Sequence, residues 1–176
     1  MSTQTLTCPQ LKIQPATLED MPVVASMIRS SADWYAEFVA EDDLAEHYVD
    51  RGWQLRNFRR REFYLGYDDS EQAVGTLSLQ YFGDYAYIGY LYLDVAQMGN
   101  GYGRALLNFA REQAREQGCK GLCLLAHPKA DWAVRAYTRY GFSRYSQDAL
   151  DILDWNESAL KPYYEAGFDL YLYDFS

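Results

Sequence analysis

The stretch Leu93–Ala110, LDVAQMGNGYGRALLNFA, decides how the rest of the chain is read. It joins an apolar run to an amphipathic one through Gly99, Gly101 and Gly103, set at every second position. Glycine weakens a strand or helix interior by about 0.5–1 kcal/mol relative to alanine, so three within five residues carry a local cost. Something is therefore expected to approach the backbone too closely for side chains. Ahead of the glycines, Gly89, Leu91, Leu93 and Val95 share one face and Tyr90, Tyr92 and Asp94 the other, which is the period of a strand. Behind them Leu106, Phe109, Ala110 and Ala114 recur at helical spacing, and Gly118 supplies a stop.

A strand that feeds a helix through glycines leaves the first helical N–H groups without intrahelical acceptors. Together with the positive end of the helix dipole, those donors suit phosphate oxygens. Arg104, just inside the helix, offers a charge-assisted contact. A tight strand-to-helix turn packed on neighbouring backbone would also use glycines. The spacing excludes two common phosphate loops. No Lys-Ser or Lys-Thr follows the last glycine, and each gap is one residue where G-x-G-x-x-G needs a longer one.

Working outward, Thr17-Leu-Glu-Asp20 opens like a capping box, followed by Val23, Val24, Met27 and Ile28 at helical spacing. A second helical region is expected from about Ala32 to Phe58, broken near Arg51-Gly52. Strands follow over Glu62–Tyr67, Ala73–Phe82 and Tyr85–Val95, separated by turn sequences. Lys120–His127 is the next strand, its GLCLLA too continuously apolar for an exposed edge. Asp131 is placed to cap a helix with an apolar face of Ala133, Ala136, Tyr137 and Tyr140, ended by Gly141. Phe142–Tyr145 and Phe168–Asp174 close the order as strands around a polar excursion, Ser146–Gly167. The sum is an α/β fold with a mixed, mostly antiparallel sheet flanked by helices.

The 176 residues suit one domain with a substantial core. A net charge of −9 argues against a nucleic-acid backbone as partner, because phosphate binding needs clustered Lys and Arg. The one basic run, Arg59-Arg60-Arg61, reads as solvated. No apolar run approaches the ~20 residues that span a bilayer, and the N-terminus has no signal-peptide pattern. Cys8, Cys119 and Cys123 are odd in number and form no metal-ligand set; Cys119 and Cys123 are expected on one face of one strand. A reducing cytoplasm is the expected location, with neither metal nor membrane partner.

Met98-Gly-Asn-Gly-Tyr-Gly103 resembles the pyrophosphate loop Q/R-x-x-G-x-G/A of the GCN5-related N-acetyltransferases, matching it at Gly101 and Gly103. Ala130–Phe142, ADWAVRAYTRYGF, resembles the second signature of that family, N-x-x-A-x-x-x-Y-x-x-x-G-F, at Ala133, Tyr137, Gly141 and Phe142. The likeness covers about residues 85–142, with two departures: Met98 stands at the usual Gln/Arg position and Ala130 at the usual Asn position.

The resemblance implies a single N-acetyltransferase domain over residues 1–176, with acetyl-CoA as co-substrate and its cofactor core at about 85–142. By position, the pantetheine arm pairs with backbone along Leu93, Asp94 and Val95. The diphosphate meets the N–H groups of Gly99, Asn100, Gly101, Tyr102, Gly103 and Arg104. Tyr137 matches the family's tyrosine acid, whose ordinary pKa near ~10 keeps it protonated at neutral pH. Without the likeness it reads as a core aromatic. For the base, His127 has the best-suited intrinsic pKa, with His47, Asp94 or a water chain along Tyr87, Tyr90 or Tyr92 as alternatives.

The acceptor is expected to be a small-molecule or peptide amine. Trp34, Tyr35, Glu37, Glu41, Asp42 and Asp43 suit a cationic one and equally suit an exposed acidic helix. FDLYLYDF, Phe168–Phe175, serves either a homodimer or closure of the sheet. A non-catalytic acyl-CoA-binding module and a structural domain are the readings from other classes.

Overall fold

The computed structural model describes residues 11–35, 50–94 and 99–175, with 31–35 as backbone only. Seven strands form one mixed sheet in the order β1-β2-β3-β4-β5-β7-β6. They are β1 Lys12–Pro15, β2 Glu62–Tyr67, β3 Ala73–Phe82, β4 Tyr85–Leu93, β5 Gly121–Ala126, β6 Ser143–Ser146 and β7 Asp169–Asp174. The helices are α1 Met21–Tyr35, α2 Arg51–Arg60, α3 Tyr102–Glu116, α4 Asp131–Tyr140 and α5 Ala149–Ser158. The chain divides into two compact units, Met1–Ser78 with Tyr90–Phe109 and Leu79–Gly89 with Ala110–Ser176.

In the first unit β1 pairs antiparallel with β2, from Lys12↔Tyr67 to Pro15↔Tyr64. Strand alternation sends Phe63 and Leu65 of β2 to one side, where they join Met21, Val24 and Ile28 of α1, Trp53 of α2 and Tyr90 of β4 in a buried core. Tyr64 and Gly66 face the other way, onto α3. The Tyr64 and Phe109 rings meet edge-on at 4.7 Å. Leu106 is fully buried between two glycines: a Cβ on Gly66 would lie 3.5 Å from Leu106 Cδ2, and one on Gly75 only 2.9 Å from Leu106 Cδ1. Small residues on β2 and β3 thus let the helix come down onto the sheet.

In the second unit β4 and β5 run parallel from Tyr85↔Gly121 to Ile88↔Leu124. β7 is antiparallel to β5 on one side and to β6 on the other. Tyr87, Cys123, Ile152, Leu160 and Leu170 form the buried cluster on one face. On the other face Tyr173 of β7 packs edge-on against Tyr140 of α4 at 5.4 Å, and its ring lies tilted against that of Phe142 at 5.6 Å.

Several boundaries differ from expectation. Ala32–Tyr35 belongs to α1, and the expected break near Arg51-Gly52 falls at the start of α2, where Asp50 caps the helix by accepting the Trp53 N–H at 2.8 Å; residues 36–49 of the expected helical region lie outside the described residues. The Thr17 signal is met in part: Asp20 accepts the Thr17 N–H at 2.9 Å and a 3-10 turn leads into α1. Ala130 is the N-cap of α4; Asp131 is already helical, and no side chain caps that end. Ala136, assigned to the buried stripe, is exposed. Cys119 precedes β5, so it shares no strand with the fully buried Cys123. β1 and α5 are additional elements. β7 lies inside the sheet with neighbours on both sides, so FDLYLYDF closes the sheet and is not an edge. Among the described residues no helix is long and apolar enough to cross a membrane.

Candidate active site

Backbone conformation accounts for two of the three loop glycines. Gly99 and Gly101 sit at φ 89° and 83°, in the left-handed region where a Cβ costs about 1–2 kcal/mol. Among the described residues a Cβ on Gly99 would meet nothing within 4 Å, so backbone conformation, not crowding by them, accounts for that glycine. Gly103 has no positive φ; its Cβ would make only an ordinary contact with Leu93 Cδ1 at 3.7 Å.

The Ala105 N–H donates to the Gly101 carbonyl at 3.3 Å, which starts the ladder of α3. By helix geometry the N–H groups of Tyr102, Gly103 and Arg104 precede any intrahelical acceptor. Gly99, Asn100, Gly101 and Arg104 are exposed, while Tyr102 and Gly103 are half-buried. The loop therefore carries its helix start at the surface.

Upstream, the Tyr90 N–H is taken by Ser78 Oγ at 2.9 Å and the Asp94 N–H by the Val74 carbonyl at 2.9 Å. Both acceptors lie on β3. Alternation then turns the N–H and C=O of Leu93 to the edge of the strand that faces away from β3. Val95 and Met98 lie outside the described residues, as do His47, Glu37, Glu41, Asp42 and Asp43. Tyr90 is committed to the core: its hydroxyl accepts from Trp53 Nε1 at 3.3 Å, and Arg61, expected to be solvated, stacks over its ring at 4.7 Å.

The second unit holds Tyr137 and His127. Tyr137 is half-buried in α4, its ring 5.8 Å from that of Phe142. Its carbonyl accepts the N–H groups of Gly141 and Phe142 at 3.1 and 3.0 Å, which closes the C-terminal end of α4. Gly141 turns the chain at φ 131°, and a Cβ there would press on Tyr173 Cε1 at 3.1 Å.

His127 follows β5 directly. Its Nδ1 accepts the Lys129 N–H at 3.1 Å, and its ring meets Phe168 edge-on at 5.3 Å. Burial, then the charge of Lys129, hold the imidazole below its ordinary pKa against an upward pull from Asp169. With Nδ1 accepting, the neutral ring carries its proton on Nε2. His127 thus offers a donor at Nε2; its lone pair is held by the adjacent loop.

Asp169 did not figure among the sequence candidates. It opens β7 opposite Ala126 of β5, with 4% of its surface exposed. Among the described residues its Oδ2 has no hydrogen-bond donor, and Arg144 Nη1 stands 3.7 Å away. Burial pushes its carboxyl up, opposed by Arg144 and His127. The sequence signal was an Asp ahead of the apolar, alternating run Leu170–Tyr173. Among the described residues no three His, Cys, Asp or Glu converge as a metal-ligand group.

The model of the acetyltransferase (GNAT) family matches residues 27–142, well over half of the sequence, and the chain belongs to that family. Solved structures agree in fold. PaiA N-acetyltransferase from Thermoplasma acidophilum, in complex with coenzyme A, superposes with a TM-score of 0.72 at 17% identity, over 94% of this chain and 99% of that one. An acetyltransferase of the GNAT family from Staphylococcus aureus MU50 gives 0.72 at 16% identity, over 95% and 100%. N-acetylglutamate synthase from Neisseria gonorrhoeae, complexed with coenzyme A and N-acetyl-glutamate, gives 0.64 at 19% identity, over 97% of this chain and 36% of that one. No curated protein matches the sequence.

Proposed function

We propose that this chain is a single-domain N-acetyltransferase that moves the acetyl group of acetyl-CoA to an amine by direct attack. The observation that carries the reading is the junction of β4 and α3, where Gly99 and Gly101 adopt positive φ and deliver a helix start at the surface. The family match runs through both units, which supports treating residues 1–176 as one functional domain. Coenzyme A in the complex of PaiA N-acetyltransferase supports the choice of cofactor.

In this reading the diphosphate of acetyl-CoA takes the N–H groups of Gly99 to Arg104, where amide donors and the helix dipole favour negative charge. The pantetheine amides pair with Leu93 and, by sequence position, Val95. Tyr137 donates its hydroxyl proton to the departing thiolate. His127 enters as an Nε2–H donor. The acceptor is a small-molecule or peptide amine, for which N-acetylglutamate synthase, whose complex holds an acetylated amine, is a precedent.

Calorimetry with acetyl-CoA tests the cofactor assignment, and absence of binding at saturating concentration overturns it. Thiol release across a panel of primary amines tests the transfer. A non-catalytic acyl-CoA-binding module is the second reading, favoured by the capture of His127 Nδ1 by Lys129; binding without thiol release would select it.

A further inference from the structure

Burying a carboxylate is costly unless hydrogen bonds replace its water, and such groups in native proteins ask for an explanation. Asp169 is buried, yet among the described residues its Oδ2 has no donor, and its ion-pair partner Arg144 is half-exposed at 3.7 Å, beyond hydrogen-bonding reach. As a stabilising pair this is poor, because one partner of a desolvated charge stays in water. A ligand role accounts for it better.

Its position points the same way. β5 belongs to the parallel part of the sheet, and ligands of open α/β sheets gather beyond the carboxyl ends of such strands. Asp169 faces Ala126, the last residue of β5. Alternation along β7 puts Asp169, Tyr171 and Tyr173 on one face, and Tyr173 packs on Tyr140 and Phe142 at the end of α4. Tyr137 belongs to that same helix, one turn before Tyr140. A helical side chain leans toward the N-terminus of its own helix. β5 runs into α4 through a short loop, so that N-terminus lies at the carboxyl end of β5, where Asp169 begins β7.

We propose that Asp169 takes the proton of the acceptor's ammonium, so that Asp169 and Tyr137 serve as base and acid on one face of the sheet. The proposal rests on the acetyltransferase reading and names the base that reading lacks. Asp169 carboxylate removes one proton from R–NH3+, giving the neutral amine and the carboxylic acid. The nitrogen lone pair forms a C–N bond to the thioester carbonyl carbon, and the C=O pair moves to oxygen. As that pair returns, the C–S bond breaks and sulfur takes the Tyr137 hydroxyl proton. The remaining excess proton on nitrogen restores Tyr137, and Asp169 releases its own to solvent. The charged and titratable groups around Asp169 are Arg144 on β6, His127 after β5 and Tyr171 on β7. Burial raises its carboxyl toward the range a base needs at neutral pH.

The test uses the full chain saturated with coenzyme A, carbon-13-labelled at aspartate carboxyls, with propylammonium chloride as probe. The Asp169 signal, assigned by its loss in Asp169→Asn, is expected to move as propylammonium is added. Asp169→Asn should bind coenzyme A as wild type does and, with acetyl-CoA, lose about 10²-fold or more of any thiol release seen with the amine panel. Its unfolding midpoint at neutral pH should equal or exceed that of wild type. A carboxyl signal indifferent to propylammonium overturns the proposal, as does a lowered midpoint with thiol release intact. Failure of wild type to bind coenzyme A is distinguishable from both and removes the acetyltransferase reading together with its base.

Discussion

Leu106 of α3 rests on the bare Cα of Gly75: a methyl placed there would lie 2.9 Å from Leu106 Cδ1, 3.0 Å from Leu93 Cδ2 and 3.3 Å from the Tyr92 carbonyl. Two of these neighbours are flexible methyl groups, but the carbonyl belongs to a strand and has little freedom to retreat. Gly75→Val is therefore expected to destabilise the protein by about 1–3 kcal/mol through overpacking. It should also weaken coenzyme A binding, because Leu106 sets the seat of the helix whose first turn follows the glycine loop. Denaturant unfolding and calorimetry measure the two effects. Gly66→Ala, with its nearest atoms at 3.1 and 3.5 Å on leucine side chains, should be the milder variant.

The glycine loop separates conformation from crowding. Among the described residues nothing crowds Gly99, so Gly99→Ala should cost about 1 kcal/mol, the cost of left-handed backbone. Gly101→Glu adds a carboxylate to the same backbone requirement and is expected to abolish acetyl-CoA binding while the protein stays folded. Retained affinity in a folded Gly101→Glu protein would remove the diphosphate assignment.

This loop was legible because two of its glycines obey a backbone rule that no other residue satisfies cheaply. β5 was legible for an equally simple reason: a strand buried on both faces has to be apolar throughout. β1 was not, since Lys12-Ile-Gln-Pro15 has no buried side chain and exists through its pairing with β2. α5 hid for a related reason. Ile152 is its one fully buried residue, and the helix is broken where Asn156, Glu157 and Ser158 take positive φ, held in part by Asn156 Nδ2 donating to the Phe82 carbonyl at 2.9 Å. Asp169 escaped because period-two alternation gives a face without saying which face is buried. The structure leaves 4% of Asp169 exposed, at the start of β7 between β5 and β6.

Tyr137 distinguishes a chemical from a packing role. Its ring contact with Phe142 survives in Tyr137→Phe, which keeps the aromatic body and removes only the hydroxyl. The expected result is a fall in turnover of about 10²-fold or more, the usual contribution of a general acid, with acetyl-CoA affinity and unfolding midpoint close to wild type. Unchanged turnover would return Tyr137 to the core.

His127 makes a prediction for stability against pH. Its pKa is lowered in the folded protein, chiefly by burial and then by Lys129, so the unfolded chain binds its proton more tightly. Its contribution is present above the unfolded value, near ~6.5, and is lost as pH falls through the folded one. His127→Gln should therefore lose less stability than wild type across the mildly acidic range. Lys129→Gln should raise the His127 pKa, read directly from imidazole NMR titration. Parallel acid-unfolding curves for wild type and His127→Gln would contradict the linkage.

Arg144 tests how the protonation of Asp169 is set. The carboxyl is pushed up by burial, and Arg144 is the first of the two groups that pull it back. Arg144→Gln removes that pull without touching the carboxylate, so the Asp169 pKa should rise. If Asp169 is the base, the acid limb of the kcat/KM profile moves to higher pH while the plateau rate is kept. Arg144 is half-exposed, so the wild-type limb should drift the same way as salt screens the pair, and the variant should respond less. The stability sign is equally defined. A carboxyl with a raised folded pKa contributes stability that is present below its unfolded value and lost as pH rises through the folded one. Arg144→Gln should deepen that loss, and Asp169→Asn should abolish it. A pH–rate profile unmoved by Arg144→Gln, beside an Asp169 carboxyl signal that does shift, would show that the charge felt by Asp169 has no bearing on the chemistry.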